Sequence, residues 1–148
     1  MRYEELSVGM SYNDSFVITD NMIETFAYDI SDDWNPIHLD DEYAEKTRFG
    51  GRIAHGLIAG SKVSGILGMN LPGEGTLWLE QNFKFVDVVR PDDVVEVTVT
   101  VSELLPKGRV KLTNVIRVVD GPSLKDGREP FTVIEGESLV LILRQKSA

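Results

Sequence analysis

The second half of the chain alternates. Val95, Val97, Val99 and Val101 are separated by Glu96, Thr98 and Thr100, the period of two that a strand with one buried face requires. Val110, Leu112, Ile116 and Val118 repeat the pattern with Asn114 as a polar exception, and Leu77, Leu79, Phe83 and Phe85 do so around Gln81. The last strand, within Phe131 to Leu143, closes on Leu139-Val140-Leu141-Ile142-Leu143. Being apolar on both faces, it is expected inside a sheet and not at its edge. Arg90-Pro91-Asp92-Asp93, Pro106-Lys107-Gly108 and Gly121-Pro122-Ser123 mark the turns. A weaker first strand is expected from about Tyr12 to Ile18, and Asp120 to Pro130 reads as an exposed loop longer than a tight hairpin.

The first half carries the helical period instead. Met22, Ile23, Phe26, Ala27 and Ile30 predict a helix capped by Thr19 or Asp20 and running to about Asp32. Asp40 caps a shorter helix through Lys46, with Leu39 and Ala44 placed as a hydrophobic staple. Between them, Asp32-Asp33-Trp34-Asn35-Pro36-Ile37-His38 is expected to be irregular, because Pro36 pushes Asn35 out of the helical region.

From Gly56 to Met69 the chain reads GLIAGSKVSGILGM, apolar nearly all round, with Lys62 its only charge. Such a helix is expected to be buried, with the lysine snorkelling to an edge. On a helical projection Gly60, Ser61, Ser64, Gly65 and Gly68 fall within one arc of about 140°. Each interior glycine costs about 1 kcal/mol against alanine, so this small-residue face implies a close approach to something. The whole is α+β: an antiparallel sheet laid over one long buried helix, with smaller helices beside it. Spatial strand order does not follow from these patterns.

Composition narrows the chemistry. A chain of 148 residues has the length of one domain, 1–148. There is no cysteine, which excludes a disulfide scaffold, a thiolate zinc site and a cysteine nucleophile. The only histidines are His38 and His55, so a transition-metal site would lean on carboxylates, and no ligand spacing proposes one. A formal charge of −9, without a Lys/Arg cluster, argues against nucleic acid as partner. No apolar stretch approaches the roughly 18 residues of a membrane span and no secretory signal opens the chain, so a cytoplasmic protein is the expectation.

Three features can do chemistry together: Asp33 with His38 across the Pro36 break, His55-Gly56 at a helix start, and Ser64 inside that helix. A carboxylate and an imidazole sharing one water perform general acid–base catalysis. The bare N–H groups at Gly56 would stabilise an oxygen acquiring negative charge. Each residue also has a plain structural reading. Asp33 can close a helix, His38 can be a satisfied loop histidine, His55 can cap the long helix, and Ser64 can bond back to the preceding turn. A Ser64/His38/Asp33 triad is disfavoured, because Ser64 sits within a helix and not on an exposed elbow. From the residues alone the reading stops at an acid–base site beside an oxyanion hole.

The block Asp33-Trp34-Asn35-Pro36-Ile37-His38-Leu39-Asp40, followed 17 residues after His38 by His55-Gly56-Leu57, resembles the MaoC-like hydratases. These are (R)-specific enoyl-CoA hydratases of the hot-dog fold, a sheet wrapped around a central helix, and the resemblance spans nearly the whole chain. It implies that Asp33 and His38 hold and activate the water and that Gly56 donates its N–H to the thioester carbonyl. Asn35, His55 and Ser64 would support the site. It further implies an acyl-CoA substrate, no metal or redox cofactor, and a homodimer or higher homo-oligomer whose sheets join edge to edge. Arg48 and Arg52, just ahead of His55, are the candidates for positive charge near a CoA phosphate. The alternatives are an acyl-CoA thioesterase on the same fold and a non-catalytic acyl-thioester-binding protein.

Overall fold

The computed structural model describes residues 1–144. Five strands, β1 (Ser11–Val17), β2 (Thr76–Phe85), β3 (Val94–Leu105), β4 (Arg109–Asp120) and β5 (Phe131–Ile142), form one sheet. All pair antiparallel, in the order β1-β3-β4-β5-β2. The alternating valines of β3 and the apolar row of β4 are fully buried, with Val97 opposite Ile116 and Val95 opposite Val118. As its two apolar faces require, β5 has a neighbour on each side.

Before the sheet is completed the chain forms α1 (Asp20–Thr25), α2 (Pro36–Leu39), α3 (Asp41–Glu45) and α4 (Gly56–Met69). Helix α4 packs on the sheet against β2, β3 and β4 through Ile58, Ala59, Val63, Ile66 and Leu67. This is the expected α+β arrangement, the hot-dog architecture. At the predicted starts, Thr19 caps α1 by accepting the Met22 N–H, and Asp40 caps α3 by accepting the Tyr43 N–H.

Three expectations need correction. The first helix does not stay α-helical to Asp32; Phe26–Ser31 is π-helical and ends at Asp32 in the left-handed region, φ 57°. Ser31 Oγ donates to the Phe26 carbonyl at 2.7 Å, and the wider turn carries Ile30 off the buried stripe of Ile23 and Ala27 into solvent. The segment after Asp33 is not wholly irregular, since Asn35 accepts the Ile37 N–H and Pro36, with φ preset, starts the single turn of α2.

The third correction concerns α4, which is not covered all round: Leu57, Ser61, Ser64, Gly65 and Met69 lie open in the isolated chain. Lys62 sits half-buried, its ammonium 4.7 Å from the Phe16 ring centroid. Asp120–Pro130 is the exposed connection expected, longer than a tight hairpin, and it carries some local structure. Its 3-10 segment Pro122–Gly127 is pinned by the buried carboxylate of Asp93, which accepts from Ser123 N, Ser123 Oγ and Arg90 N.

The polar exceptions of the strands meet one another. Gln81 Nε2 donates to Asn114 Oδ1 at 2.6 Å, and Ser138 Oγ donates to Gln81 Oε1. Three polar groups from β2, β4 and β5 thus bond one another where a lone one would be costly, with Asn114 Nδ2 left without a partner among the described residues.

Candidate active site

Two chain segments are stitched together beside the start of α4. Ile53 N donates to the Ile37 carbonyl at 3.2 Å, His38 Nδ1 to the Ile53 carbonyl at 2.7 Å, and His55 Nε2 to the Asp33 carbonyl at 3.0 Å. Arg52 adds a clamp, bonding Asp20 of α1 at 2.7 Å and Asp41 of α3 at 2.6 Å, and reaching the His38 carbonyl at 3.3 Å. Those carboxylates hold its guanidinium firmly charged. The side chain is therefore committed to the fold of the site, which answers the expectation that it serves a phosphate. Arg48 lies over the Phe49 ring.

These bonds settle what each functional atom offers. Because His38 Nδ1 gives its hydrogen to Ile53, the Nε2 of the neutral ring carries a lone pair. That nitrogen lies 3.7 Å from Asp33 Oδ2, while Oδ1 accepts the Asn35 N–H at 3.1 Å. Two acceptors at this separation do not bond each other, but the gap is one that a water donating a hydrogen to each, about 2.8 Å from both, would fill. His38 is buried and Asp33 half-exposed, so the pair is open on one side only.

The first turn of α4 stands next to this pair. His55 is its N-cap residue without capping it through the side chain, and among the described residues no acceptor meets the Gly56 N–H. The donor is free, as an oxyanion site needs. Its glycine has a second cause that the sequence reading missed. A β-carbon at Gly56 would lie 2.6 Å from Phe85 Cδ1, and one at Gly60 would lie 3.0 Å from Phe83 Cε2. Four helical residues rise about 6 Å and two strand residues about 6.6 Å. The Gly56/Gly60 and Phe85/Phe83 spacings therefore match, which is the clue the sequence held.

The predicted supporting residues separate. Asn35 closes the turn after Asp33, and His55 contacts both members of the pair, stacking on His38 with ring centroids 3.8 Å apart. Burial holds His55 below the ordinary histidine range; the neighbouring His38 pushes the same way, and the Asp33 carbonyl opposes them. Ser64 is elsewhere, two helical turns from Gly56, and its hydroxyl bonds no described residue, neither Asp33 nor His38.

Ligand-type atoms of Asp33, His38 and His55 all lie within 4.8 Å of one another. They make a poor chelate nonetheless. The two rings are stacked at 26°, and His55 Nε2 already donates to the Asp33 carbonyl, so that nitrogen has no lone pair for a metal.

Comparison with known proteins shows the family and the fold. The family model described as MaoC like domain matches residues 6–120. A 3-hydroxybutyryl-CoA dehydratase of Methylorubrum extorquens is 37% identical over 147 residues, covering 99% of this chain and 87% of that protein. An (R)-specific enoyl-CoA hydratase of Rhodospirillum rubrum is 35% identical over 140 residues, covering 95% and 90%. Among solved structures, the R-hydratase PhaJ1 of Pseudomonas aeruginosa in its unliganded form superposes with a TM-score of 0.84 at 33% identity, covering 97% of this chain and 86% of that one. The chain belongs to the MaoC-like family of hydro-lyases, built on the hot-dog fold.

Proposed function

We propose that this protein is an (R)-specific enoyl-CoA hydratase, adding water across a trans-2-enoyl-CoA to give the (R)-3-hydroxyacyl-CoA, and reversibly removing it. The observation that carries the reading is the pair of acceptors, Asp33 Oδ2 and His38 Nε2, 3.7 Å apart beside the unpaired Gly56 N–H. That the Rhodospirillum relative is an (R)-specific enoyl-CoA hydratase supports the stereochemistry.

The chemistry follows from what each group offers. The thioester carbonyl, accepting from Gly56 N–H at the positive end of α4, draws charge from the double bond and makes the β-carbon electrophilic. The bridging water points a lone pair at that carbon while its hydrogens lie on Asp33 and His38. One O–H bond breaks as the C–O bond forms, and the proton passes to the Asp33/His38 pair. The π electrons move to an enolate-like oxygen at Gly56. The enolate then takes the proton from the pair at its α-carbon, so one water supplies both new bonds and no redox or metal cofactor enters. Asn35 closes the turn that carries Asp33.

A homodimer fits the surface. β2 is an edge strand with Leu77, Trp78 and Leu79 exposed, and an unpaired apolar edge is normally covered. A cytoplasmic location suits a CoA substrate, and no helix among the described residues is long and apolar enough to cross a membrane. The test is crotonyl-CoA with purified protein, reading enoyl absorbance and free thiol together. Loss of absorbance with a 3-hydroxy product and no thiol supports the hydratase; thiol release without that product replaces it with a thioesterase. Binding without turnover at any chain length leaves an acyl-thioester-binding protein.

A further inference from the structure

His55 touches every part of the proposed machinery and is spent on none of its chemistry. It is 4% exposed, directly precedes Gly56, donates Nε2–H to the Asp33 carbonyl at 3.0 Å and stacks on His38 at 3.8 Å and 26°. Phe26, from the π-helical turn, closes the edge of the stack at 4.8 Å. Its other nitrogen, Nδ1, is buried and without any partner. A buried polar atom left unpaired is costly, so a position used only for packing would favour an apolar ring.

We propose that His55 is the positioning residue of this site, a neutral Nε2–H imidazole that sets Asp33, His38 and the Gly56 donor in register with one another. The inference rests on the hydratase reading and adds a role that reading does not require. The unpaired Nδ1 follows from the assignment. With Nε2–H committed to Asp33, a neutral ring has only a lone pair at Nδ1, and nothing near it donates. A proton there would place a cation in a dry site face to face with His38, the ring that must itself accept a proton. His55 therefore stays neutral while His38 cycles. Its hydrogen bond goes to the main chain of Asp33, leaving the carboxylate free for water. Its stacked face limits rotation of His38, whose Nε2 must stay aimed at Oδ2. Because Gly56 is the next residue, the same anchor fixes where the oxyanion donor begins.

The test uses His55→Phe, which keeps a flat ring and loses the donor, and His55→Gln, whose amide reaches the Nε2 position and keeps it. Thermal melts confirm folding, and kcat and KM are read separately on crotonyl-CoA. Misplacement of reacting groups predicts that His55→Phe lowers kcat about 10- to 100-fold with KM nearly unchanged, and that His55→Gln recovers most of the loss. Equal loss in both variants overturns positioning in favour of proton transfer by His55 itself. Undiminished kcat in His55→Phe overturns any role beyond packing. A second readout does not depend on activity. With two histidines in the chain, a long-range 15N–1H spectrum at pH 7.5 resolves both rings. It is expected to show His55 as the neutral Nε2–H tautomer and His38 as Nδ1–H. A His55 proton on Nδ1, or a charged ring at that pH, overturns the proposal whether or not the enzyme hydrates crotonyl-CoA, and absence of hydration by wild type tells against the hydratase reading alone.

Discussion

The ring of Phe85 occupies the space that a side chain on Gly56 would need, its Cδ1 standing 2.6 Å from where a β-carbon would be. Gly→Ala inside a helix ordinarily stabilises by about 0.5–1 kcal/mol. Gly56→Ala is predicted to do the reverse, lowering the melting temperature and the hydration rate by forcing α4 away from β2. Shrinking the ring in the double variant Gly56→Ala with Phe85→Ala is expected to regain much of the rate lost by Gly56→Ala alone. Gly65→Ala is the control, because a methyl there meets nothing within 4 Å in this chain. It should raise the melting temperature, and a loss would mean that something outside the chain packs on that face.

Asp93 is fully buried and gathers the N–H of Arg90 with the N–H and hydroxyl of Ser123. Asp93→Ala strands those donors in the interior. A loss of about 2–4 kcal/mol in chemical denaturation is expected. The Pro122–Gly127 segment should become the first site of proteolysis, and a variant as stable as wild type would show that the segment holds without its anchor.

Stability should depend on pH through His55. Its folded-state affinity for protons is lowered, chiefly by burial, from an ordinary value of 6.5. The unfolded chain then binds more protons in the window just below that value, so stability is complete above about pH 6.5 and falls as pH drops through the lowered folded value. Melting temperatures of wild type should fall across this window more steeply than those of His55→Phe, which has no ring to protonate. Parallel curves for the two proteins would contradict the shift.

Much of the fold was legible because it depends on local period. The valine alternation of β3 and the bounds of α4 needed only the spacing of apolar residues. The π-helical turn was not legible, since it depends on Ser31 Oγ capturing the Phe26 carbonyl and helical periodicity carries no trace of that bond. The open face of α4 was misjudged for a related reason: an apolar surface in a sequence does not say whether its own chain covers it. In the site, the break at Pro36 was enough to predict that Asp33 and His38 converge. The reach of His55 back to the Asp33 carbonyl and the clamp of Arg52 across α1 and α3 are contacts between distant residues. They became visible only with the fold.

The central claim is that Asp33 and His38 jointly hold the water that adds to an enoyl thioester. Its most direct test is the rate of crotonyl-CoA hydration by wild type, Asp33→Asn and His38→Ala, at matched folded concentration. General acid–base catalysis predicts losses of about 10²- to 10⁴-fold in each variant, with the double variant little worse than either one. Full activity in either single variant would contradict the account.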